Sequence, residues 1–161
     1  MNLLVTPAHA DAVAVLAGWT APDPSQAALA QTYLAFLAAR TDATLRSCAP
    51  GNLTASAMVF SHDLTQVALV LHGIVGAWLA PGGHVEAEDA SLRAAAAREV
   101  REELGIEVRL EPEPVTLDCH AIICRGYTTQ TRHLDVRFVG RAAPGAVLRV
   151  SEESHDVAWW P

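Results

Sequence analysis

Three glutamates near the middle of the chain stand where a helix has little use for them. The stretch Arg98-Glu99-Val100-Arg101-Glu102-Glu103-Leu104-Gly105-Ile106 reads as the last turns of a helix stopped by a glycine. At about 100° per residue, Glu102 and Glu103 fall to either side of Glu99, with Leu92, Ala95 and Ala96 on that same side in earlier turns. The carboxylates therefore continue the apolar face instead of opposing it. They also crowd the turn before Gly105, a position suited to a left-handed C-cap, where the helix dipole disfavours negative charge. A divalent cation among the three side chains would remove both costs, because hard cations seek carboxylate oxygen. The competing reading is a solvated acidic face, the usual meaning of a charge cluster. It would set the glutamates opposite Leu92 and Ala96, with arginines spread among them. Instead Arg93 and Arg101 point away, and Arg98 sits at the edge within i,i+4 reach of Glu102. The geometry favours a metal.

Upstream lies Pro81-Gly82-Gly83-His84-Val85-Glu86. Together, Gly83, an acidic residue and Arg98-Glu99-Val100-x-Glu102-Glu103-x-Gly105-Ile106 resemble the signature of the Nudix hydrolases. That pattern reads Gly-x5-Glu-x7-Arg-Glu-U-x-Glu-Glu-x-Gly-U, with U a bulky aliphatic, and is long enough to be specific. The chain departs from it at two points. Asp89 stands where the first Glu belongs, and one extra residue separates it from Arg98; Glu88 fits the spacing less well on both sides. Asp89 is expected to cap the start of the helix, where Asp serves at least as well as Glu.

The resemblance implies an α/β/α arrangement over roughly Leu53 to Trp160, and hydrolysis of a diphosphate joined to some other moiety. It implies Glu99, Glu102 and Glu103 as ligands of Mg²⁺, with Mn²⁺ a substitute. The Gly83 carbonyl is a further expected ligand, since glycine lets backbone approach the ion closely. Bound metal would polarise phosphoryl oxygens and lower the pKa of a water, with Glu102 and Glu103 at the catalytic centre and Arg98 orienting them. The general base has no fixed place in this family. The loop before the last strand often folds over the active site in the resembling proteins, which nominates Glu152 and Glu153, with His155 behind them. An exposed polar loop is the equal alternative there.

Weaker signals lie outside this pattern. In Arg132-His133-Leu134-Asp135-Val136-Arg137-Phe138, Arg132, Leu134, Val136 and Phe138 share one strand face, and His133, Asp135 and Arg137 the other. Arg132, His133, Asp135 and Arg137 form a candidate substrate surface, weighed against a solvated sheet face. His84, beside the glycine pair, joins them. His120 reads as structural, and Trp78 either fills core or stacks on a base. Two other functions are considered. An isopentenyl-diphosphate-isomerase-like enzyme needs a Cys and a Glu in its own contexts, which Cys48, Cys119 and Cys124 do not provide. A non-hydrolytic ligand sensor on the same fold would be expected to lose metal carboxylates, and none is lost.

The elements that must hold these residues are legible in outline. At 161 residues the chain suits one well-filled core. A helical extension over 1–50, packed on the same domain, precedes a Nudix-like domain over 51–161. Helices are expected from Ala8 to Trp19 and after Pro24-Ser25, the second with Leu29, Tyr33, Phe36 and Leu37 on one side. Ala55–Ser61 and Gln66–His72 read as a hairpin, and Trp78-Leu79-Ala80 as a strand leading into a tight turn and loop at the glycines. Further strands are expected at Glu107–Leu110, Val115–Arg125, His133–Gly140 and Val157–Trp159. The fold class is α/β, a Nudix-like sandwich with a mixed sheet. The N-terminal helices either cover a sheet face or serve a homodimer.

Composition argues against polyanionic partners, and the resemblance implies a small-molecule diphosphate as substrate. The net charge of −7 argues against a nucleic-acid polymer or an anionic membrane. Lysine is absent, which excludes P-loop and Schiff-base chemistry. Three cysteines without metal-type spacing read as buried free thiols of a reducing compartment. With no basic n-region and no apolar run near the roughly 20 residues of a span, a cytoplasmic protein is expected.

Overall fold

The computed structural model of the chain describes residues 5–73, 75–123, 130–152 and 154–161. The three helices found there begin where the sequence offers a capping side chain. Thr6 accepts from the His9 amide ahead of α1 (Pro7–Gly18), and Asp23 from the Ser25 and Gln26 amides ahead of α2 (Pro24–Ala39). Both helices carry proline in their first turn, where its fixed φ suits the helix and its missing N–H costs nothing. Ser91 accepts from the Ala94 amide at 3.0 Å ahead of α3 (Leu92–Leu104). The cap is therefore Ser91 and not the expected Asp89, whose side chain turns inward to a guanidinium. The extra residue between Asp89 and Arg98 moves the helix start past it. Gly105 closes α3 in the left-handed region at φ 67°, donating its amide to the Arg101 carbonyl.

Among the described residues, eight strands form one mixed sheet: β1 (Asn52–Phe60), β2 (Val67–His72), β3 (Trp78–Leu79), β4 (Gly82–His84), β5 (Arg109–Leu110), β6 (Thr116–Ile122), β7 (Thr131–Arg141) and β8 (Ser154–Trp160). The expected β1–β2 hairpin pairs only beside its turn, through Val59 with Ala68 and Phe60 with Val67. Over its whole length β1 instead runs parallel to β7, from Asn52 opposite His133 to Phe60 opposite Arg141. Its other edge takes β4, with Ala55 opposite Gly83 and Ser56 opposite Gly82. The glycine segment, expected as turn and loop, is thus a short strand. Only glycine fits there, because a Cβ on Gly82 would sit 2.5 Å from the Ser56 Cβ.

Register decides which face holds the site. Leu53 lies opposite Leu134 and Ala55 opposite Val136, so β1 and β7 turn their apolar residues the same way. Those residues join Tyr33, Leu37, Leu92, Val100 and Leu104 in one core. The opposite face carries Thr54, Ser56, His133, Asp135 and Arg137. The architecture is the α/β one expected.

The N-terminal helices contribute to this core and fix what lies above it. Of the expected stripe on α2, Tyr33 and Leu37 are fully buried, and Leu29 and Phe36 partly so. The Tyr33 hydroxyl lies 2.6 Å from the Asp118 carbonyl and 3.2 Å from the Asp135 carbonyl, tying α2 to β6 and β7. Burial, with nearby acidic groups, holds its pKa above the ordinary value. Gln26 both donates to and accepts from the Leu117 backbone at 3.0 and 2.7 Å. Asp11 of α1 accepts from the Leu92 amide at 2.9 Å, placing a carboxylate at the positive end of α3. Cys48 is buried as expected, but Cys119 is exposed, because β6 pairs only with β7 among the described strands. Cys124 lies outside the described residues. Among those residues, no helix is long and apolar enough to cross a membrane.

Candidate active site

Arg98 is the hub of the glutamate helix. Its Nε and Nη2 grip the Asp89 carboxylate at 3.2 and 3.0 Å, and Nη2 also reaches the His84 carbonyl at 2.9 Å. Nη1 donates to Glu99 at 2.8 Å and to Glu102 at 2.9 Å. Burial alone would lower its pKa. Hydrogen bonds and charge from Asp89 and Glu99 outweigh burial and hold the guanidinium above its ordinary value. Asp89 is itself buried, and accepts from the Glu86 amide at 2.8 Å. Arg98 thus ties the glycine strand to α3 and bonds two of the three glutamates.

The glutamates divide by environment. Glu103 is buried and accepts from the Gly82 amide at 2.9 Å. Glu99 lies against Gly83, where a Cβ would stand 2.6 Å from its Oε1. Glu102 departs from the expected apolar placement, since half of its side chain is exposed. It occupies the helix edge, where Arg98 reaches it. The charge compensation that sequence assigned to a cation is here supplied in part by this arginine.

Among the described residues, no group of three or more His, Cys, Asp or Glu side chains converges as a preformed metal cage. The donor set still fits a hard divalent ion. Its side chains are carboxylates, and the missing Cβ of Gly83 leaves backbone and the Glu99 carboxylate in direct approach. Glu102 is the most exposed of the three and adds a third carboxylate on the same helix.

A cavity of about 520 Å³ opens beside the glycine strand and is lined by Gly82, Gly83 and His84. Its floor is the polar sheet face, with Thr54, Ser56, His133, Asp135 and Arg137. Asp135 is buried and accepts from Thr54 at 3.0 Å and from Ser56 at 2.5 Å. Three imidazoles stack edge to face along one wall, His84 to His133 at 4.9 Å and His133 to His120 at 5.5 Å between centroids. Burial, then the neighbouring His84, His120 and Arg46, lowers the His133 pKa to about 4. Burial, then Arg46, lowers that of His84. A second cavity of about 340 Å³ lies by the Ser61–Gln66 turn and contains none of the candidate residues.

The structure therefore brings Gly83, His84, His133, Asp135 and Arg137 around one cavity whose wall abuts Glu99 and Glu103. Arg132 is not among its lining; it lies exposed on the other face of β7 and donates to the Thr131 carbonyl. Glu152 is exposed in the turn before β8, two residues from Ser154, which pairs with the cavity-lining His72. Glu153 lies outside the described residues. His155 approaches the Gly73 carbonyl at 3.1 Å. Trp78 packs against Trp160 at 5.4 Å and not on the cavity. His120, read as structural, does line it, as do Thr54, Ser56 and Asp118, which sequence reasoning passed over. The available signal was the pair of hydroxyls at alternate positions in a β1 that is otherwise apolar after Asn52.

A NUDIX domain model matches residues 52–161. No curated protein matches the chain. Among solved structures, E. coli dihydroneopterin triphosphate pyrophosphohydrolase is similar with a TM-score of 0.55 and 19% identity, over 67% of this chain and 79% of that one. The MutT protein of Methanosarcina mazei Go1 gives 0.54 and 22%, over 70% and 78%. A C. elegans Ap4A hydrolase in a binary complex gives 0.53 and 16%, over 67% and 78%. At such identities the likeness to these structures is one of fold. The domain match itself spans the sheet, the glycine strand and the glutamate helix, leaving α1 and α2 outside, and the chain belongs to the Nudix family of hydrolases.

Proposed function

We propose that this Nudix hydrolase cleaves the diphosphate linkage of a nucleoside diphosphate derivative or a related small molecule, by water attack on phosphorus with Mg²⁺ as its ion and Mn²⁺ as a substitute. One observation carries the reading: Glu99 and Glu103 set their carboxylates against the Gly83 and Gly82 backbone, and that backbone lines the cavity. The ion, when bound, polarises phosphoryl oxygen and acidifies a water. Glu99, Glu102, Glu103 and the Gly83 carbonyl would hold it. Arg98, locked by Asp89, keeps the first two carboxylates in position.

Carboxylates that donate to a cation are poor proton acceptors, so the base comes from elsewhere. Glu152 is the candidate, near the end of β8 that meets His72, with Glu153 the second. His84, His133, Asp135 and Arg137 then face the remainder of the substrate. The chain's net charge of −7 suits a small substrate whose phosphates arrive with metal, not a nucleic-acid polymer. The test is a library of nucleoside diphosphate derivatives in H₂¹⁸O with MgCl₂ or EDTA, with products read by mass spectrometry. Label in a phosphate product, formed only with the ion, is expected. Turnover unaffected by EDTA, or none across the library, would overturn the proposal.

A further inference from the structure

Arg137 is held at the cavity floor in a way that a solvated surface arginine is not. Its Nε donates to Ser56 at 3.1 Å, and Nη2 stands 3.5 Å from Asp135. Ser56 in turn donates its hydroxyl to Asp135, and Thr54 donates to the other carboxylate oxygen. All three neighbours of Asp135 donate to it, as an ionised carboxylate accepts. This network fixes one side of the guanidinium. Among the described residues its Nη1 has no hydrogen-bond partner, leaving a donor where the side chain lines the cavity.

Charge decides what that donor can receive. The charged side chains lining the cavity, among the described residues, are Arg137, Asp135 and Asp118. One cation against two anions gives no surplus for a further phosphate. Beyond the polar floor, the lining includes the apolar Val75, Leu79 and Ile122, with Val75 half-exposed. A nucleoside or sugar matches this mixture: uncharged, rich in acceptors, with apolar faces.

We infer that Arg137, oriented by Asp135 and Ser56, donates to an acceptor on the uncharged half of the substrate, and that Asp135 makes the cavity reject a half bearing its own anionic group. The inference rests on the diphosphate reading above and narrows its substrate class. It makes Arg137 a residue of recognition and Asp135 a positioning residue with an electrostatic share in specificity.

The test uses the full chain at pH 8 with two pairs of probes. ADP-ribose is set against its 2′-phosphorylated form, and UDP-glucose against UDP-glucuronate. Binding is measured by calorimetry with and without MgCl₂, and product formation separately by chromatography. In the better-bound pair, the member without the extra anionic group should bind at least about 10-fold more tightly, a difference well within reach of one uncompensated like charge. Asp135→Asn keeps the shape and should bring that ratio towards one. Arg137→Ala should weaken the member without the extra anionic group by about 10-fold to 100-fold, the worth of a hydrogen bond from a charged donor. Arg137→Lys should recover only part, having lost the fork. Should Asp135→Asn fail to fold, the partly exposed Arg137 variants still decide. Equal affinity within both pairs, binding untouched by Arg137→Ala, or failure of both pairs to bind overturns the inference. The expected pattern of binding without metal-dependent products would instead overturn the hydrolytic reading alone.

Discussion

Replacing Arg98 by Gln should destabilise the fold by an amount that its unequal contacts define. The bond to half-exposed Glu102 is a helix-surface i,i+4 pair worth about 0.3–0.5 kcal/mol. The Asp89 carboxylate is different, being only 8% exposed. Removing one partner of a buried pair strands the other, at about 3–5 kcal/mol. Asp89 keeps the Glu86 amide, so the lower end of that range applies, about 3 kcal/mol. For a domain of this size, each kcal/mol moves Tm by about 2–4 °C, so a fall of about 6–12 °C is expected. Thermal unfolding by circular dichroism in EDTA measures it. Asp89→Asn should restore part of the loss in the double mutant, and MgCl₂ should narrow the gap by supplying positive charge to Glu99 and Glu102. A fall below about 2 °C, no larger than for a surface pair, would refute the hub role of Arg98.

Glu103→Gln should lower turnover on the order of 10² or more with little change in fold, and MgCl₂ should raise its Tm less than that of the wild type. Glu152→Gln should reduce kcat far more than KM and flatten the acid limb of the pH profile; an unchanged profile removes Glu152 as base. Tyr33→Phe forfeits a buried donor to the Asp118 and Asp135 carbonyls and should cost about 1–3 kcal/mol in urea unfolding, while a loss too small to measure would mean α2 does not anchor the cavity floor. The His133 pKa is lowered from 6.5 to about 4, so folding opposes its protonation. Its share of stability is full above pH 6.5 and drains as pH falls towards 4. His133→Gln should flatten that part of the stability curve, and parallel curves would show that His133 titrates normally.

The end of the glutamate helix was legible because a local period and a local glycine determine it, although Glu102 stands further from the apolar face than that period implies. Arg98, Glu102 and Gly105 stand in the relations that their spacing implies. The strands of the second half were found to within a few residues for the same reason. What escaped notice depends on pairing. Thr54 and Ser56 acquire meaning only when β7 lies parallel to β1 and sets Asp135 and Arg137 beside them, and no single-strand pattern encodes that register. Asp89 misled because a carboxylate near a helix start serves equally as a cap or as an ion-pair partner. Only the position of Arg98 separates the two roles. The glycine strand was missed because glycine carries no strand preference of its own, and it pairs here for lack of a Cβ.

The parallel ladder of β1 with β7 also constrains how the chain can mature. Residues 52–60 find their principal partner only at residues 131–141, so the centre of the sheet cannot close until most of the chain has been made. The helices emerge long before, yet the carbonyls that receive Tyr33 belong to Asp118 and Asp135. Helix formation is local and fast, whereas distant strand pairing carries the entropy of closing a long loop. During synthesis the first two helices must therefore wait with their apolar stripe uncovered, and a ribosome stalled before residue 131 would present a chain still able to meet chaperones but unable to finish.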